Sequence, residues 1–135
     1  MNANTIGLLG QAATTGTMPF PEIVDKLIAE GVEYYDVDYA SLQFHFYGVE
    51  GGVVVVPLLL GAMQPIAPVF DKVGLRAAIV DSQHNGQKFT DFSSRAVRAG
   101  VARYFVFLRG RRVIYFGRQG DQHVEWFPGA QPAEA

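Results

Sequence analysis

Two groups of residues in this chain have the types and spacing to do chemistry. The first is Asp36 and His45. If the stretch Glu33–Tyr47 forms a hairpin turning at Ala40-Ser41, Asp36 falls opposite His45. A carboxylate so placed can orient an imidazole and raise its basicity. Tyr34, Asp38, Gln43 and Tyr47 share that face. The plainer alternative is the solvated face of an edge hairpin, so the pair is a candidate acid–base couple and no more. The second group is Arg109-Gly110-Arg111-Arg112. Three guanidinium groups at one turn could hold a phosphate or carboxylate, because the planar fork matches such anions bidentately. A basic β-ribbon can also enter a DNA groove. The plainer alternative is a solvated tip that blunts a sheet edge or pairs with acidic residues elsewhere. Arg109, Arg111 and Arg112, with Tyr34 and Tyr47, are the candidate ligand-binding residues.

Most other chemistries lack their residues. There is no cysteine, which excludes disulfides, thiol catalysis and cysteine-ligated zinc. His45, His84 and His123 have no metal-ligand spacing, although folding could bring His45 and His123 near Asp36 and Glu125. We therefore expect no metal site and no cofactor. Gly48–Gly52 (GVEGG) lacks the Gly-Lys-Ser/Thr ending of a phosphate loop, and no dinucleotide fingerprint or nucleophile elbow occurs.

The elements that must position these residues centre on Ala102–Gly117 (ARYFVFLRGRRVIYFG). Two β-rich runs flank Gly110-Arg111, and a two-residue loop opening on glycine predicts a type II′ turn. That register pairs Phe107 with Ile114 and Phe105 with Phe116. One face carries Phe105, Phe107, Ile114 and Phe116; the other carries Tyr104, Val106, Leu108, Val113 and Tyr115. Both faces are apolar, so each needs a cover. We expect helices on one side and further protein, a partner or a ligand on the other.

Upstream, Met1–Met18 reads as an arm or a short helix near Asn2–Ala13. Phe20–Gly31 is a helix with Pro21 in its first turn, Ile23, Val24, Leu27 and Ile28 inward, and Gly31 just past its end. In Glu33–Tyr47, Tyr35, Val37 and Tyr39 face Phe46, Phe44 and Leu42, so apolar meets apolar and polar meets polar. Val53–Val56 is a short buried-type strand ended by Pro57. Val69–His84 is helical at least from Gly74, and Thr90 caps a helix over Asp91–Ala99. Gln122–Phe127 is a last strand. No internal repeat is visible. The segmentation is an arm at 1–18, one domain at 19–128 and a tail at 129–135.

At 135 residues the chain is one domain. Its charged share of 18% is below the roughly 25% typical of soluble domains, which suits subunit-covered surface. No apolar run reaches the ~20 residues of a membrane helix, and no basic region precedes the first apolar patch. The default location is cytoplasmic, with no membrane partner. Charge is unevenly distributed. Residues 1–71 hold eight acidic residues against Lys26 alone, and residues 72–118 hold ten basic against two acidic. Such halves could neutralise each other. The acidic overall pI of about 5.9 reads against a nucleic-acid partner.

Residues 73–127, with the earlier AEGVEYYDVDY, resemble the YbcV-like family of small bacterial and prophage proteins, some labelled phage envelope protein. The resembling motifs are the helix ending in Gln83 and Gly86, Ala99-Gly100-Val101, Val113-Ile114-Tyr115 with Gly117, and Gly120, His123, Glu125 and Pro128. The resemblance implies a compact α+β domain with no established activity and no catalytic residues to carry over.

These readings combine into a single α+β domain, a mostly antiparallel sheet with helices mainly on one face. Its first functional reading is a non-catalytic binding or interaction domain acting as a homodimer. The alternatives are a small-ligand binder or enzyme using the Asp36/His45 face with an arginine for an anionic group, and nucleic-acid binding through the basic tip.

Overall fold

Ten elements follow one another in a computed structural model that describes residues 1–130. Helices α1 (Ala3–Thr15) and α2 (Phe20–Ala29) precede strands β1 (Val32–Asp38), β2 (Gln43–Gly48) and β3 (Val53–Pro57). Helices α3 (Lys72–His84) and α4 (Phe89–Arg98) precede β4 (Val101–Phe107), β5 (Arg112–Gly117) and β6 (Gln122–Trp126). The expected tail beyond residue 130 lies outside the described residues. The strands form one antiparallel sheet in the order β3-β2-β1-β4-β5-β6. This is a single α+β domain. No described helix is long and apolar enough to cross a membrane.

The two halves of the chain are structural repeats of each other. Each element of the second half repeats one of the first at a spacing of 69 residues, with matching lengths. The agreement extends to side chains: Ile6, Leu9 and Gly10 are the buried positions of α1, and Leu75, Ala78 and Ile79 are those of α3. Asn2 caps α1 by accepting from the Thr5 N–H, and Asp71 caps α3 by accepting from Gly74. Irregularities at Val32/Tyr34 and Val101/Arg103 also correspond. The halves meet where β1 pairs antiparallel with β4. Tyr34 faces Phe107, Asp38 faces Arg103, and Asp36 faces its own counterpart Phe105. A pseudo-two-fold axis therefore passes through the sheet at Asp36 and Phe105. The expectation of no repeat is corrected. The correspondence resides in backbone turns and apolar positions, with few identities, such as Gly31/Gly100, Val32/Val101 and Tyr35/Tyr104.

All four helices contribute to one core with the same face of the sheet. Ile6, Leu27, Leu75 and Val97 pack with Tyr35, Val37, Phe44, Phe46, Tyr104, Val106 and Tyr115. Strand alternation then leaves the opposite face without a helix. Met1–Met18 supplies α1, whose Ile6 is fully buried. α4 has no side-chain cap, because Thr90 lies inside its first turn rather than before it. β3 is an edge strand, not a buried one; Val53 and Val55 stand about half exposed.

The β1–β2 register is the expected one, with Asp36 opposite His45 and Tyr34 opposite Tyr47. Tyr39 and Leu42 do not pair; they belong to a four-residue loop in which Leu42 is left-handed (φ 55°) and Asp38 accepts from the Ala40 and Ser41 N–H groups. The β4–β5 register differs by two residues from expectation: Phe107 faces Arg112 and Phe105 faces Ile114. Its loop, Leu108 to Arg111, copies the first, with Arg111 left-handed (φ 55°) and donating to the Phe107 carbonyl. Leu108 leaves the β4–β5 ladder while its side chain stays buried in the core. A slip of two preserves the faces, so Phe105, Phe107, Ile114 and Phe116 still share one side.

Candidate functional site

The face without helices carries both candidate groups. Asp36 lies at its centre, on the pseudo-axis, and its carboxylate is fully buried. Arg103 from β4 donates through Nε to Asp36 Oδ2 at 2.7 Å, and its Nη2 lies 3.4 Å from Asp38 Oδ2. His45 Nδ1 stands 3.3 Å from both Asp36 oxygens, with hydrogen-bond geometry only toward Oδ2. Oδ1 has no hydrogen-bond partner. Two aromatic residues flank the cluster: Tyr34 and Tyr47 stack with centroids 4.7 Å apart. The Arg103 guanidinium also sits 5.6 Å over the Phe105 ring.

Mutual stabilisation of charge accounts for the local titration. Burial works against the charged form of Arg103, but hydrogen bonding and attraction to Asp36, with help from Asp38, outweigh it and raise its pKa. Burial also pushes Asp38 up, yet the Ser41 and Ala40 hydrogen bonds and the Arg103 charge bring it below the ordinary carboxylate value. Tyr47 is raised, first by burial and then by the neighbouring Asp36.

Arg103 was not among the sequence candidates. It is 67 residues from Asp36, and only the β1–β4 pairing between the two halves brings them together. A general base must reach a substrate proton; Asp36 exposes no surface and is ion-paired, so of the pair only the His45 imidazole, whose side chain is 18% exposed, offers that reach. The two histidine–carboxylate pairs also stay apart. His123 Nε2 lies 2.8 Å from Glu125, but it is opposite Tyr115, whose ring is in the core, so that pair occupies the helix-covered side. Among the described residues no three metal-ligating side chains converge.

The arginines of the β4–β5 tip separate. Arg109 and Arg112, with Gly110, Glu33, Tyr34, Phe107 and Ile114, line a shallow concavity of about 420 Å³ at one end of the face. Arg111 is exposed and takes no part in it. Arg112 stacks over Trp126 at 4.4 Å. His45 on β2 and Arg112 on β5 are three strand spacings apart, roughly 14 Å at ~4.8 Å per strand, so the arginine stands remote from the imidazole. Apart from Gln43 and Gln122, the rest of the face is mostly apolar: Phe105, Phe107, Ile114 and Phe116 are half-buried, while Val53, Val55 and Val124 are exposed. The opposed charge halves make their ion pairs, among the described residues, through Arg103 alone.

Comparison with known proteins assigns a family. Residues 12–125 match the model of a protein family of unknown function, DUF1398, and the chain belongs to that family. It is also similar to uncharacterised proteins of Mycobacterium tuberculosis (strain H37Rv) and Mycobacterium bovis. Each is 31% identical over 117 residues, covering 84% of this chain and 70% of theirs.

Proposed function

We propose that this domain is a non-catalytic interaction module that forms a homodimer through the uncovered face of its sheet. The observation that carries this reading is the composition of that face. Tyr34, Tyr47, Phe105, Phe107, Ile114, Phe116 and Trp126 lie on one side of six strands, and the four helices pack on the other. Contiguous apolar patches of this kind mark interaction sites. Six strands about 4.8 Å apart, each contributing about five residues at ~3.4 Å, cover roughly 500 Å² in projection. Side-chain relief brings that toward the roughly 800 Å² per partner of a standard interface. A second copy suits the patch because sheets pack face to face by interdigitating such side chains. The buried Asp36–Arg103 pair lies within it as a polar fixture whose charges are already matched. A cytoplasmic setting and kinship with the YbcV-like proteins of bacteria and prophages belong to the same proposal.

Sedimentation velocity tests it. The wild type is expected to run as a dimer at tens of micromolar, an ordinary affinity range for such an interface. Ile114→Asp, which places a charge mid-face, is expected to run as a monomer with unchanged far-UV circular dichroism. A wild-type monomer at that concentration overturns the reading.

A further inference from the structure

The structural repeat supplies an internal comparison for the concavity at the β4–β5 tip, and the comparison points to a ligand. We propose that this concavity binds a planar aromatic molecule carrying one carboxylate, which competes there with a second copy for the Tyr34 and Phe107 rings. Its floor is Tyr34 and Phe107, with ring centroids 5.7 Å apart and a tilt of 31°, beside Ile114. Its rim holds Arg109, Arg112 and Glu33.

The pseudo-axis carries the same backbone to the other end of the face, and the side chains there are different. Tyr34 corresponds to Arg103, Phe107 to Asp38, Ile114 to His45, Arg112 to Gln43 and Arg109 to Ala40. At that end the charges lie in the floor and satisfy one another. Arg103 spans Asp36 and Asp38, and Asp38 also accepts from the Ala40 and Ser41 N–H groups. At the tip end the arrangement is inverted: the floor is aromatic and the cations stand on the rim. Among the described residues neither Arg109 nor Arg112 forms an ion pair with an acid of the chain.

Each part of the ligand follows from a part of the site. Aromatic floors favour a flat ring by offset or tilted stacking. A guanidinium recognises a carboxylate through two parallel N–H donors. Arg112 is held by its stacking on Trp126, so less freedom is lost on binding. Glu33 on the same rim repels a second negative charge, which favours a monoanion over a phosphate dianion. The volume of about 420 Å³ lies within the range of small-molecule sites, and a mostly apolar lining with few polar groups is their usual make-up.

The test is a ¹H–¹⁵N NMR titration of the whole protein with 1-naphthoate, 1-naphthalenemethanol, acetate and phenyl phosphate. Naphthoate is expected to shift the Tyr34, Phe107, Gly110 and Arg112 amides saturably. Its affinity is expected to fall by roughly tenfold or more in Arg112→Ala and in Tyr34→Ala, the loss expected for one charge-assisted or stacking contact. Arg109→Ala/Arg112→Ala leaves Phe105, Ile114 and Phe116 in place. Lost binding with unchanged sedimentation therefore belongs to this site and not to self-association. Shifts centred elsewhere, no saturation, or equal binding of the neutral alcohol or of acetate overturn the proposal. Tighter binding of phenyl phosphate than naphthoate overturns its assignment to a carboxylate.

Discussion

Gly31 and Gly100 occupy the same place in the two halves, yet an added methyl group should have different costs. Each follows a helix and turns the chain into the first strand of its unit with positive φ, 83° and 90°. An alanine in such a conformation costs roughly 1–2 kcal/mol in backbone strain. At Gly31 a Cβ would meet nothing within 4 Å, so strain is the whole cost. At Gly100 it would lie 2.3 Å from the Val69 carbonyl oxygen and 2.9 Å from the Phe70 Cα, both backbone. The segment joining the halves would have to move. It is held there by the Asp71 N–H donating to the Ala99 carbonyl at 2.7 Å and the Ala67 N–H to the Val97 carbonyl at 2.9 Å. Losing both adds about 1 kcal/mol each, and loosened packing adds more. Gly31→Ala is therefore expected to cost about 1–2 kcal/mol and Gly100→Ala about 3–5 kcal/mol. Urea unfolding followed by circular dichroism measures both from the shift in midpoint at constant m. Equal losses, within about 0.5 kcal/mol, would refute the steric argument.

Three further outcomes follow from the buried polar groups. Arg103→Ala leaves Asp36 buried without its cation and should cost about 2–3 kcal/mol, below the figure for a fully buried pair because Arg103 is partly exposed; the Asp36→Asn/Arg103→Met double variant should regain most of it, and additive losses in urea unfolding would count against the pairing. The Asp38 carboxyl is held low in the folded state, so its contribution is full above its unfolded pKa and fades as pH falls through the folded value. Wild type should therefore lose stability on acidification below about pH 4 more steeply than Asp38→Asn, and parallel pH profiles would contradict the assignment. Tyr39→Phe removes the hydroxyl that donates at 2.9 Å to fully buried Ser93, and should cost about 1–3 kcal/mol, with Ser93→Ala in the same background restoring part of it in thermal unfolding.

What the sequence revealed depends on the range of each signal. The β1–β2 register was readable because alternation fixes the faces and the loop is centred on Ala40-Ser41, with Val37 opposite Phe44 and Asp36 opposite His45. The β4–β5 register was not, because the glycine suggested a turn at Gly110-Arg111 while the loop spans Leu108 to the left-handed Arg111, and a slip of two residues leaves every side chain on its face. Two-sided apolarity correctly implied that helices cover one face of the hairpin, and the other face is apolar as well. The structural repeat stayed hidden because backbone requirements keep glycines such as Gly31 and Gly100, while α1 and α3 share spacing and burial but no identical residue. Arg103 was hidden for a related reason. Its meeting with Asp36 requires β1 and β4, far apart in sequence, to be neighbours.

Intermolecular nuclear Overhauser effects in a mixture of ¹³C-labelled and unlabelled protein test directly whether a second copy covers the bare face. The account predicts contacts between protomers from the Ile114 and Val124 methyl groups and the Phe105 and Phe116 rings. Intermolecular contacts confined to the helices or to the β3 edge, or none at concentrations where the wild type should be dimeric, would contradict it.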